Sequence, residues 1–210
     1  MADWATISSL ATAGGTLVLA VATFASVRSA NQAARTAERA LQVGLRPLLM
    51  PSRLEDRVEK VMWVDEHWAR VGGGKAAVEV VDGIIYLAMS LRNVGTGIAV
   101  LHGWHPAPEW LRADRPHAEP ERFRLQTRDL YVPAGDVGFW QGAIRDRDDG
   151  AYAELREAVE SRRHLTIELL YSDHDGGQRT IGRFALTRRD DADWLCSASR
   201  VWNLDRPDPR

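Results

Sequence analysis

The sequence predicts a mainly β domain carried behind an N-terminal membrane helix, and three observations predict it. Residues 4–27 contain no charged side chain, and Arg28 ends that run. Residues 28–43 continue in good helix formers without Gly or Pro, until Gly44 and Pro47 stop the pattern. From residue 48 onward the apolar period changes to two, with turn residues between short runs.

The uncharged run is 24 residues long. As an α-helix it reaches about 36 Å, enough for a hydrocarbon core of roughly 30 Å. A cleaved signal peptide would place Lys or Arg ahead of a shorter apolar core, whereas this chain opens Met-Ala-Asp. A buried bundle helix is the second alternative, because seven Ser and Thr residues dilute the run. An interfacial helix would need a charged face, and the run has none. A single span over 4–27 is the expectation.

Its flanks set an orientation. Arg28, Arg35, Arg39 and Arg46 follow the span against one acid, Glu38, while only Asp3 precedes it. Basic flanks stay cytoplasmic, so the N-terminus is expected outside and the rest of the chain inside. The single Cys196 agrees, since a secreted domain of this size more often pairs its cysteines. At 100° per residue Ser8, Ser9, Thr12, Thr16, Thr23 and Ser26 share an arc of about 100°. Such a face either packs on a second helix, as a homo-oligomer or with a partner, or returns its hydroxyls to its own i−4 carbonyls.

Residues 28–45 form a juxtamembrane helix with Ala30, Ala34, Ala37 and Leu41 on one face, a stripe too thin for a stable zipper. Residues 46–204 form the β domain, with 205–210 as a flexible tail. Expected strands cover 48–54, 58–64, 83–91, 98–101, 123–132, 137–144, 165–171, 179–186 and 195–202. The run 83–91 reads as a central strand, apolar on one face and partly on the other. Asp173-His-Asp-Gly-Gly177 is a hairpin turn by composition. One helix interrupts the series, with Asp148 and Asp149 available to cap it and Tyr152, Leu155 and Val159 as its inward stripe. The spacing suggests one β-sandwich, with a closed barrel as the alternative. Seven Trp fall in this domain, as core or rim packing or as an aromatic-lined groove.

A span, an Ala- and Arg-rich helix, Arg46-Pro47 before the first strand, Asn93-x-Gly95-x-Gly97-x-Ala99, and Tyr171-x-Asp173 occur in that order. Together they resemble a broad group of uncharacterised bacterial membrane-anchored proteins with an immunoglobulin-like domain. The resemblance implies an immunoglobulin-like fold and a bacterial cell membrane. It implies no activity and carries no catalytic residues.

Other fragments fall short of a chemistry. Gly95-x-Gly97-x-Ala99 follows a strand, but no helix follows to hold a pyrophosphate, so bulge or turn glycines are expected. Gly72-Gly-Gly-Lys75 lacks the earlier Gly and the hydroxyl of a phosphate-binding loop and reads as a mobile loop tip. Asp173-x-Asp175-Gly176 lacks the later ligands of a calcium loop. His102, His105, Asp173 and His174 are the only weak metal candidates, and on a regular strand the first two face opposite ways. No Gly-x-Ser-x-Gly elbow is present. No cofactor is expected.

Charge excludes one class. The chain has a net charge of −2. Arg28, Arg35, Arg39 and Arg46 against Asp3 and Glu38 leave the first 46 residues at +2, hence the remainder at −4. A net-acidic domain is a poor nonspecific nucleic-acid binder. Arg128, Arg145, Arg147, Arg162 and Arg163 are expected on a solvated surface beside acidic partners. The leading functional expectation is a non-enzymatic, membrane-tethered module that meets a cytoplasmic protein. Alternatives are a ligand sensor that controls association of the spans and a metal-dependent hydrolase.

Overall fold

The computed structural model describes residues 3–112, 114–189 and 193–206; the side chains of 4–11, 39, 42 and 43 lie outside that description. The chain divides into two compact units, Met1–Val43 and Gly44–Arg210.

The first unit is helical. α1 (Trp4–Gly44) runs without a break through Arg28, so the expected span and juxtamembrane segment are one helix. Its stretch Thr12–Glu38 is long and apolar enough to cross a membrane, and none of it is buried. Leu17, Val18, Leu19, Val21 and Phe24 are all exposed. Thr16 and Thr23 donate to the carbonyls of Thr12 and Leu19 at 2.9 and 2.8 Å. Ser8 and Ser9, also expected on the polar face, lie outside the described side chains.

The second unit is mainly β. β1 (Leu49–Pro51), β2 (Glu59–Met62), β3 (Trp68–Val71) and β4 (Lys75–Val81) precede the long β5 (Ile84–Asn93). β6 (Ala99–Ala107), β7 (Arg124–Val132) and β8 (Val137–Ile144) follow. After α2 (Tyr152–Glu160) come β9 (Leu165–Ser172), β10 (Thr180–Arg188) and β11 (Trp194–Asn203). All but β2 and β3 join one curled antiparallel sheet in the order β1-β5-β4-β11-β10-β9-β6-β7, with β8 paired to β5. β5 pairs β8 through Ile85–Arg92, and it pairs β4 and β1 through successive segments, so those two short strands share its other edge.

Alternation builds the core. Ile85, Leu87, Met89 and Leu91 of β5 meet Leu165, Ile167, Leu169 and Tyr171 of β9 inside the curl, with Trp104 and Trp140 between. The opposite face of β5, Tyr86 and Ala88, packs under the β2–β3 hairpin against Val61, Trp63, Ala69 and Val71. β5 is thus covered on both faces, as its continuous apolar run demanded. α2 closes the core with Tyr152, Leu155, Ala158 and Val159. Asp149 accepts the Ala151 amide at 2.9 Å just ahead of it.

Several expectations change: the strand expected over 48–54 shortens to Leu49–Pro51, and that over 98–101 extends to Ala107. The strand expected over 58–64 stops at Met62, and β3 and β4 lie where no strand was expected. Gly72–Gly74 is no mobile tip, because a Cβ on Gly73 would overlap the Arg53 carbonyl. The Gly74 amide donates to Ser52 Oγ at 2.9 Å, and its carbonyl accepts from Cys196 at the same distance. The tail is held at its start, since Asp205 accepts the Arg179 amide and guanidinium, both at 2.7 Å; residues 207–210 lie outside the described residues.

Candidate functional site

The weak metal candidates occupy separate settings. His102 is a bulge in β6, whose register against both β7 and β9 shifts between Leu101 and Gly103. Because of that extra residue, His102 beside Ser172 and His105 opposite Glu168 share the outer face, contrary to the opposed placement expected of a regular strand. Ser172 gives its one hydroxyl proton to the Asp173 carbonyl at 2.6 Å. His102 Nε2, 2.7 Å from Ser172 Oγ, must therefore carry the hydrogen and donate it. A protonated Nε2 offers no lone pair to a metal. His105 Nδ1 faces the Arg122 carbonyl at 3.4 Å and likewise donates.

Burial holds both imidazoles below their ordinary pKa, an effect that for His105 outweighs the hydrogen bond to Arg122 and the nearby charge of Glu168. Asp173 is consumed by the hairpin turn, accepting the Gly177 amide at 2.9 Å and Gln178 Nε2 at 3.3 Å. His174 is exposed and meets Asp175 at 3.1 Å. Among the described residues no three His, Cys, Asp or Glu side chains stand where they would hold a metal.

Two other polar clusters are structural. Buried Asn93 accepts the amides of Leu48 and Gly95 at 3.1 and 3.0 Å and donates to the carbonyls of Gly97 and Val132 at 2.6 and 3.0 Å. Gly95 and Gly97 are small because the backbone of residues 45–48 crosses them without room for a Cβ. Tyr171 Oη accepts the Leu49 amide at 3.3 Å, and burial pushes its pKa up to about 12. The resembling motif residues therefore fasten the first strand.

On the outer face of β9 and β10, Arg183 and Glu168 form a fully buried ion pair at 2.6 Å. The other guanidinium hydrogens reach the carbonyls of Arg112, Arg115 and Pro116 at 2.7, 3.0 and 2.7 Å. Glu168 also accepts the Ala118 amide at 2.8 Å, and the guanidinium covers the Trp202 ring at 4.6 Å. Each donor of the fork has an acceptor, so the pair binds the β6–β7 connection and leaves nothing for a ligand.

The opening in the fold lies between β7 and β8. They follow each other in sequence, yet β7 pairs only β6 and β8 pairs only β5. Near the turn they are close, with Val132 3.1 Å from where a Gly138 Cβ would stand. Further along, residues 126–129 of β7 stand opposite His102 alone, between the pairs Leu101–Leu130 and Gly103–Leu125. Gln126 bridges the gap with a side chain, donating Nε2 to the Gln141 carbonyl at 2.9 Å.

A cavity of about 180 Å³ opens there, lined by Trp63, Trp104, Arg124, Gln126, Arg128, Gln141 and Arg145 among others, and by no carboxylate. Gln126 Oε1 and Gln141 Oε1 are buried and accept no hydrogen bond.

The walls of this seam are pre-set. Trp63 donates Nε1 to the Gly142 carbonyl at 3.1 Å. Trp104 and Trp140 meet edge to face, 5.3 Å apart at 64°, over the space that Gly142 leaves open. Arg124 is clamped by Asp149, one contact at 2.6 Å, and that guanidinium, working against burial, holds the Asp149 carboxyl below its ordinary pKa. Arg145 meets Asp65 at 3.0 Å. Burial acts to raise the Asp65 pKa, but Tyr86, the Asp65 backbone and Arg145 together hold it below the usual value. Burial and Asp65 push Tyr86 up to about 12.

Sequence reasoning named Arg128 and Arg145 and counted Trp63 and Trp104 among seven Trp without joining them, and it missed Gln126, Gln141 and Arg124. Only the broken apolar alternation at Gln126-Thr-Arg-Asp129 marked the place. No protein-family model matches the chain, and no curated protein matches it.

Proposed function

We propose that the protein is a non-enzymatic, membrane-tethered interaction module whose β unit receives a protein partner at the β7–β8 seam. The observation that carries this reading is the seam: two facing strand edges without a shared ladder, beside two buried amide oxygens that lack donors. Unpaired strand edges are templates for a further chain. The Trp pair favours a second reading, a small-ligand sensor, but about 180 Å³ is below the roughly 300–1,000 Å³ of a drug-sized ligand site. A hydrolase has no support in the separated histidines.

The tether is α1, whose described large apolar side chains, Leu17 to Val27 and Leu41, are uncovered. With Arg28, Arg35, Arg39 and Arg46 behind the span, the N-terminus lies outside and the β unit in the cytoplasm, at a bacterial inner membrane. The resemblance to bacterial membrane-anchored proteins with an immunoglobulin-like domain belongs to the same proposal. So does association of the spans through Ser8, Ser9, Thr12, Thr16, Thr23 and Ser26.

Membrane retention and partner capture are tested together. The full chain should stay in the pellet after alkaline carbonate extraction, and its β unit should resist protease added outside spheroplasts. A photocrosslinker placed at Leu125 should trap one dominant protein, whereas the same probe at exposed Glu157 should not. Release by carbonate removes the tether. Equal patterns at the two positions remove the docking surface.

A further inference from the structure

We infer that the β7–β8 seam binds an extended acidic segment of its protein partner by strand addition, along residues 125–129 of β7. The inference rests on the proposed function and names the chemistry of the partner.

Three properties select this occupant. The first is the edge. Neither β7 nor β8 is paired on its facing side, and residues 126–129 also leave the β6 ladder, so this stretch offers backbone groups that a new strand can satisfy. The second is polarity. Gln141 is 6% exposed and its Oε1 has no donor, as is true of Gln126 Oε1. A buried acceptor without a donor is costly, and an incoming backbone N–H is the group that removes the cost.

The third is charge. The lining holds Arg124, Arg128 and Arg145 and no acid. Arg124 and Arg145 are each engaged from behind by Asp149 and Asp65. Arg128 is exposed and has no ion-pair partner among the described residues. A carboxylate entering the seam therefore finds Arg128 exposed, beside two guanidinium groups that acids hold in place. A basic segment would meet the uncompensated charge of Arg128, with Asp129 as the one acid of the docking stretch.

The cavity's size fits one side chain with the adjoining backbone amides at its mouth, and exposed Leu125 and Val64 flank that mouth. Alternate residues of an extended segment point the same way. The segment thus places one acidic side chain in the cavity and an apolar neighbour against Leu125. The bulge and the charges of β7 block indiscriminate edge pairing, which narrows the seam to a matching sequence.

The test uses the full chain in detergent micelles and a fluorescein-labelled decapeptide of alternating Val and Glu. Controls are the same peptide with Lys for Glu and one N-methylated at alternate amides, which cannot complete a ladder. Anisotropy should show the Glu peptide binding, with affinity about tenfold weaker for the N-methylated form and for the Arg128→Glu variant. Arg128→Glu should also invert the preference between Glu and Lys peptides, a change that loss of folding cannot produce.

Equal binding of the Glu and Lys peptides, equal binding of the N-methylated form, or no binding up to about 1 mM overturns the inference. Any of these with carbonate-resistant membrane retention and a Leu125-specific crosslink leaves the broader function standing. Peptide binding with carbonate release removes the tether alone.

Discussion

Asn93 shows how one side chain holds a strand in place. Its amide fills four hydrogen-bonding roles for three chain segments: residues 48, 95–97 and 132. Replacement by Ala leaves two partly buried amides and two buried carbonyls without that partner, at about 1–3 kcal/mol for each that water fails to reach. Asn93→Ala should lower stability by about 3 kcal/mol or more in urea unfolding, while Asn93→Asp keeps the acceptor and should recover part of the loss. Equal stability of wild type and Asn93→Ala would sink this account.

Titration gives a second test at this scale. His102 and His105 are held below the ordinary value of 6.5. The unfolded chain therefore binds protons first, and their contribution is complete above pH 6.5 and declines as pH falls toward the folded values. Asp65, Asp149 and Asp205 are held below 3.8, so their contribution survives to that pH and fades beneath it. The urea midpoint should fall in two separate stages, and the double variant His102→Gln, His105→Gln should remove only the upper one. Persistence of the upper stage in that variant would assign it to other groups.

Among elements, the outer face of β9 and β10 makes the strongest demand. Glu168 and Arg183 are 1% and 0% exposed and hold the connection from β6 to β7 through three carbonyls and an amide. Arg183→Met strands a carboxylate beneath that connection and should cost about 3–5 kcal/mol. Arg183→Met with Glu168→Leu removes both charges and should recover much of that in overall stability. Amide hydrogen exchange in residues 108–118 should nonetheless stay fast in the double variant, because its carbonyl anchors are gone. Slow exchange there would mean that packing holds the connection.

How legible these elements were depended on whether their cause was local. β5, α2 and the Asp173 hairpin carry their own periodicity or turn chemistry, and they stand where the sequence put them. The β4–β5 hairpin carried a signal that the sequence reading passed over: Asp82 and Gly83 both have positive φ in a two-residue turn between Val81 and Ile84. Without it, no strand was expected over 75–81, and only Gly72-Gly-Gly-Lys75 was read there, as a loop tip. The seam had no local cause at all. It follows from the pairing of β8 with β5 instead of β7, a choice made by residues about 50 positions away in sequence. Buried Glu168 and Arg183 were hidden for the same reason, since nothing beside either residue announces the other.

For the whole molecule, the two units differ in what stabilises them. The three clusters of buried residues described for the β unit are built from residue 49 onward. Those clusters draw on the strands and α2, enough for a core of ordinary size. α1 alone is a long helix with Leu17, Val18, Leu19, Val21 and Phe24 uncovered, which water does not tolerate and a bilayer does. A fragment of residues 44–210 should therefore unfold cooperatively, with the urea midpoint of the β unit in the full chain in mild detergent. It should remain in the supernatant after ultracentrifugation, while a fusion of residues 1–43 to a soluble reporter pellets with membranes. If the fragment aggregates or loses cooperativity, α1 contributes to the β core and the two-unit description fails. If the reporter fusion stays in the supernatant, the uncovered apolar side chains of α1 are met by another protein surface, and the tether must be sought in the β unit.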